Sequence, residues 1–78
     1  MVNEELFILE KEIKKKHEIA LLTDLLLLYH NKKMDINIEH IYNAMHDTIV
    51  YSEEEKNNII NESLKVLKED YNIEIEGK

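Results

Sequence analysis

The sequence predicts an all-α fold, a small bundle of three helices with a long N-terminal helix, on three observations. Proline is absent and the single glycine is Gly77, so no strong breaker interrupts the chain before it. Apolar residues recur at helical spacing in three separate segments. Ser52 followed by Glu55 forms a capping box, the clearest helix start in the sequence.

The first helix is expected over residues 4–30. Asn3 is placed to cap it, and Glu4 and Glu5 suit the positive end of its dipole. Its two halves differ. In the first, Leu6, Leu9, Ile13 and His17 form one stripe, surrounded by Lys11, Glu12, Lys14, Lys15 and Glu18. In the second, Ile19, Ala20, Leu21, Leu22, Leu25, Leu26, Leu27, Leu28 and Tyr29 are apolar nearly all round, which marks burial on most sides. A break near residues 14–18 would divide this helix and make the bundle four-helical.

Residues 31–35 read as a polar connection. Asn37 can cap a second helix over residues 38–50, with Ile38, Ile41, Tyr42, Met45 and Ile49 on its apolar face. The third helix starts at the capping box and runs to residue 70, with Ile59, Ile60, Ser63, Leu64, Leu67 and Tyr71 on its inner face. The short link at residues 50–52 favours an antiparallel or steeply crossed pair of helices. A short irregular tail follows. Its alternation of apolar and polar residues over 71–76, echoed over 34–38, is also compatible with a two-stranded ribbon, which is marginal on its own.

Seventy-eight residues make one domain, spanning 1–78. A chain of this size buries only about 60% of its unfolded surface. Without cysteine there are neither disulfides nor thiolate metal clusters to reinforce it, so aliphatic packing must carry the fold. At 44% hydrophobic and 35% charged residues the chain is too apolar for disorder. The acidic start lacks the basic character of an export signal, and the apolar runs at residues 6–9 and 25–29 are too short to span a membrane. A cytoplasmic location is expected. Heavy use of Asn, Ile and Lys, with no arginine, points to an AT-rich genome such as that of a low-GC bacterium, a phage or a plasmid.

Charge is unevenly placed. Residues 1–33 hold six lysines and six acids; residues 34–78 hold four lysines and eleven acids, so the whole net charge of −7 lies there. Such a surface repels phosphate backbones and suits a basic protein partner, or serves only to keep the chain in solution.

No catalytic apparatus is expected. His17, His30, His40 and His46 do not pair at ligand spacing, so no metal site is expected. Glu53, Glu54 and Glu55 are explained by their place in a first helical turn. Asp24, beside Thr23 in the apolar half of the first helix, reads as a polar notch or an internal cap at a helix break. Ser52 is occupied by its cap, and without internal glycine there is no phosphate-binding loop. No cofactor is expected. Direct nucleic-acid binding is disfavoured: the third helix begins with acids, and without arginine the bidentate contact to guanine is lost. The basic run Lys14, Lys15, Lys16, with Lys32 and Lys33, reads as a solvated face.

The most informative feature is the apolar surplus of the first helix. Two shorter helices are not expected to cover Phe7, Ile8, Ile19, Leu22, Leu26 and Tyr29 in addition to the main stripe. These six, with the acidic residues Glu53, Glu54, Glu62 and Glu69, are the expected partner-binding residues. The expected function is a non-enzymatic protein-binding regulator or inhibitor, encoded by a phage or other mobile element. It would act on a host protein such as a nucleic-acid enzyme or defence factor, and form a homodimer through the first helix. The alternatives are a bacteriocin immunity protein and a small dimeric DNA-binding regulator. In size, acidity and helical plan the chain resembles phage-encoded inhibitors of host defence and bacteriocin immunity proteins in type alone. No diagnostic residues carry that likeness, and none are transferred from it.

Overall fold

The computed structural model describes residues 4–45 and 51–75, the side chain of Glu4 excepted. Three helices follow in order: α1 (Glu4–Asn31), α2 (Ile38–Ala44) and α3 (Glu53–Tyr71). No strand occurs among the described residues. The bundle is elongated, 50 × 23 × 19 Å, because α1 alone, at 28 residues, runs about 42 Å.

α1 is continuous through residues 14–18, where a break was an open expectation. The stretch Lys14–Glu18 contains no residue that withholds a main-chain donor, and Thr23 returns its hydroxyl to the Ile19 carbonyl at 2.7 Å instead of capping a new helix. The expected cap Asn3 lies outside the described residues.

Two contacts fix how α1 and α3 are aligned. Lys11 meets Glu55 and Ile19 meets Ser63, each across a separation of 44 residues. A constant offset means the two helices run parallel. The chain therefore has to return between them. Residues 34–37 carry it back without regular structure, and α2 follows, with Glu39 bonded to Lys56 in the first turn of α3 at 2.9 Å.

Caps replace breakers at the helix ends. Asn37 accepts from the His40 amide. Ser52 and Glu55 form the reciprocal capping box in full. At the end of α1, Lys33 takes a left-handed conformation at φ 56°. The Lys33 amide then bonds the His30 carbonyl and the Met34 amide the Tyr29 carbonyl, the double closure usually built on glycine. Asn72 ends α3 in the same left-handed region at φ 55°, with a different pattern: its amide and that of Ile73 both donate to the Leu67 carbonyl.

The second helix is shorter than expected. It ends at Ala44, and Met45 is extended while its side chain packs on the core. No breaker stands there; packing ends the helix. Residues 46–50, including Ile49 and His46, lie outside the described residues, and with them the first residue of the expected 50–52 link; Tyr51 and Ser52 are described and carry no regular structure. The core is formed by Leu22, Leu26, Ile38, Ile41, Ile59 and Leu67. The alternating segments do alternate in burial, though they form no ladder. Ile36, Ile73 and Ile75 turn to the core, while Glu74 turns outward and bonds Lys68 at 3.2 Å. Tyr71, expected on the inner face of α3, is instead about half exposed.

Candidate protein-binding surface

The unbroken course of α1 decides where its apolar residues can go. At about 100° per residue, Ile13 and Leu22 are two and a half turns apart and so point to opposite sides; Leu9 and Glu18 stand in the same relation. One face can dock on α3, and the second-half face wins because it carries more apolar area. Leu22 and Leu26 are fully buried, and Ile19 and Tyr29 pack partly buried against them.

Followed toward the N-terminus, that same face carries Glu18, Lys15 and Lys11. Glu18 is buried at 6% exposure. Lys11 forms a 3.0 Å ion pair with Glu55 and lies over the Tyr51 ring at 5.8 Å. Of the residues expected to surround the first stripe, Lys11, Lys15 and Glu18 thus face inward, while Glu12 is exposed. The stripe itself faces out: Leu6 is 63% exposed, Leu9 54% and Ile13 55%.

The expected partner-binding residues therefore divide. Leu22 and Leu26 leave that group, since they form the centre of the core. Ile19 and Tyr29 leave it in large part for the same reason. Most of the surplus lies in the first half of the helix; in the second, Leu21 and Leu28 are exposed. Phe7 and Ile8 stay, at 62% and 55% exposure. They lie about one turn before Lys11 on the side of α1 that faces α3, but α3 begins only at Glu53, and no helix among the described residues covers them. The Lys11–Glu55 pair brings the first turn of α3 to this end. Glu53 and Glu54 are exposed there, and Glu53 is also 3.8 Å from Lys56. Glu62 and Glu69 are exposed as well but lie further along α3, toward the C-terminal end of α1.

Charge at this end is held by short local contacts. The Glu55 carboxyl is pulled below its ordinary value, first by the Ser52 amide and next by the Lys11 ammonium. The pKa of the Lys56 ammonium is raised above its ordinary value, first by the Glu39 carboxylate it bonds, with burial acting against this.

Between α1 and α3 lies an open groove lined by Lys15, Glu54, Glu55, Asn57, Asn58 and Asn61. It offers amide and charged side chains. Among the described residues no three of His, Asp and Glu gather into a metal-binding group. Asp24 is exposed beside Thr23, on an uninterrupted helix. No helix among the described residues is long and apolar enough to cross a membrane.

Sequence reasoning missed the polar seam under this surface. Ser63 is fully buried and donates toward the carbonyls of Ile59 at 2.9 Å and Ile19 at 3.1 Å. The signal was present: Ser63 is a small residue in the middle of an otherwise bulky inner face. No family model matches the sequence, and neither does any curated protein or solved structure.

Proposed function

We propose that the protein is a non-catalytic binding regulator that inhibits or modulates another protein through the free end of α1. Phe7 and Ile8 act as apolar anchors, and Glu53 and Glu54 form an acidic rim beside them. The observation that carries this reading is the exposure of five large apolar residues, Leu6, Phe7, Ile8, Leu9 and Ile13, within one end of one helix. Contiguous apolar surface of that kind marks association sites, and an aromatic anchor within a polar rim is the usual anatomy of one.

The acidic second half selects a partner with basic groups, such as a nucleic-acid enzyme or a defence factor of a host cell. The codon-biased composition fits a phage or mobile element as the source. A homodimer through α1 belongs to the same reading, because the free end carries apolar residues on more than one side.

The test is affinity capture from the native host, using the wild-type protein, the double variant Phe7→Asp/Ile8→Asp and the double variant Glu53→Lys/Glu54→Lys. A specific protein captured by the wild type, lost with the first variant and weakened by the second or by high salt, is the expected outcome. Capture that survives Phe7→Asp/Ile8→Asp would overturn the assignment of the anchors.

A further inference from the structure

We infer that the solvent-facing stripe Leu6, Leu9 and Ile13 pairs with the same stripe of a second copy of this chain, the two α1 helices running antiparallel about Leu9. This rests on the reading of α1 as an association surface and adds the face, the occupant and the direction.

The face follows from the helix phase. Leu6, Leu9 and Ile13 are spaced three and four residues apart, the seam spacing of paired helices. All three lie on the side of α1 opposite Leu22, so pairing there leaves the core undisturbed.

The occupant and direction follow from charge. The first part of this segment is acidic, with Glu4, Glu5 and Glu10. The next part is basic, with Lys14 and Lys16 on or near the outer face against the acid Glu12, while Lys11 and Lys15 lie toward α3. Two copies laid antiparallel set each acidic part against the other's basic part. Laid parallel, they would set like against like. Glu5 and Lys16 are both exposed and lie within about 20° of each other around the helix. A two-fold axis across antiparallel helices brings matching flanks together, so Glu5 of one copy meets Lys16 of the other. Leu6 of each copy then lies against Ile13 of the other, and Leu9 lies beside its own copy at the axis. Glu10 also comes near its own copy. Its 3.6 Å contact with Lys14 offsets that repulsion.

Phe7 and Ile8 lie on the α3 side of the helix, away from this seam. Dimerisation therefore leaves the anchors for a target accessible, and the dimer presents two such ends.

The absence of native cysteine makes the geometry directly readable. Single cysteines are introduced as Leu9→Cys, Glu5→Cys and Lys16→Cys, and disulfide formation is followed under mild oxidation at micromolar protein. Leu9→Cys should link to itself. Glu5→Cys and Lys16→Cys should each link poorly to themselves but readily to one another when mixed. Efficient self-linking of Glu5→Cys would show a parallel dimer and overturn this inference while leaving dimerisation through α1 standing. No linking by any variant, together with a monomeric mass for the wild type, would overturn the dimer itself. Capture of a target through Phe7 and Ile8 is read out separately from either result.

Discussion

The hydroxyl of Ser63 on α3 donates to the main-chain carbonyl of Ile19 on α1 at 3.1 Å, at a point where the serine is wholly buried. The same carbonyl accepts from Thr23 at 2.7 Å. A small side chain is needed at this position for the two helices to come so close. Ser63→Ala removes a buried hydrogen bond and should cost about 0.5–1.5 kcal/mol. Ser63→Leu overfills the contact and should cost about 1–3 kcal/mol, and more if the helices separate. Urea unfolding of the two variants checks the order; a Ser63→Leu protein as stable as the wild type would contradict the close approach.

The two stripes of α1 should behave differently when truncated. Leu22→Ala opens a cavity at the centre of the core and should cost about 2–5 kcal/mol. That is a large part of the stability available to a small domain. Leu9→Ala, studied in dilute solution where association does not contribute, should change stability by less than about 0.5 kcal/mol. Equal losses would mean that the stripes are assigned to the wrong faces.

How much of this was legible in the sequence varies by residue. The capping box at Ser52 and Glu55 and the cap at Asn37 were readable because each depends on a few neighbouring residues. The helical class and the inner face of α3 at Ile59, Ser63 and Leu67 followed from period alone. Which stripe of α1 would be buried was not readable. Leu6, Leu9 and Ile13 form as regular a pattern as Leu22 and Leu26, and only the continuity of the helix makes the two exclusive. Which face then turns toward α3 goes with tertiary contacts such as Lys11 with Glu55, which join residues 44 apart. Phe7 and Ile8, expected to stay uncovered, are exposed, whereas Leu22 and Leu26, expected to stay uncovered too, are buried in the core. The early end of α2 at Ala44 has no local signal either, since Met45 leaves the helix while packing on the core.

Acid should weaken the junction of α1 and α3. The Glu55 carboxyl lies below its ordinary value of 4.5 in the folded protein, chiefly through the Ser52 amide and then Lys11. A lowered folded value means that the ionised form favours folding. The contribution is therefore present above the unfolded value and is lost as pH falls through the folded one. Thermal melting followed from neutral pH to about pH 3 should show a steeper decline for the wild type than for Glu55→Gln below about pH 4.5. Parallel curves would remove Glu55 from the account.

Left-handed residues mark where the fold tolerates strain. Lys33 carries a side chain at φ 56°, a conformation that costs a β-carbon-bearing residue roughly 1 kcal/mol. Lys33→Gly should relieve it and raise stability by about 0.5–1 kcal/mol. Asn72→Gly should gain less, because asparagine visits this region readily. A destabilised Lys33→Gly protein would show that the lysine makes a contact worth more than the strain.

An uninterrupted α1 turns one apolar stripe into the core and leaves the other exposed to solvent. Sedimentation equilibrium tests the pairing inferred for the exposed stripe most directly, comparing the wild type with Leu9→Asp on that stripe and Leu28→Asp at an exposed apolar position in the other half of the helix. The wild type and Leu28→Asp should be dimers, and Leu9→Asp a folded, helical monomer. A wild type that stays monomeric at every concentration, or a Leu9→Asp protein that remains dimeric, would contradict it.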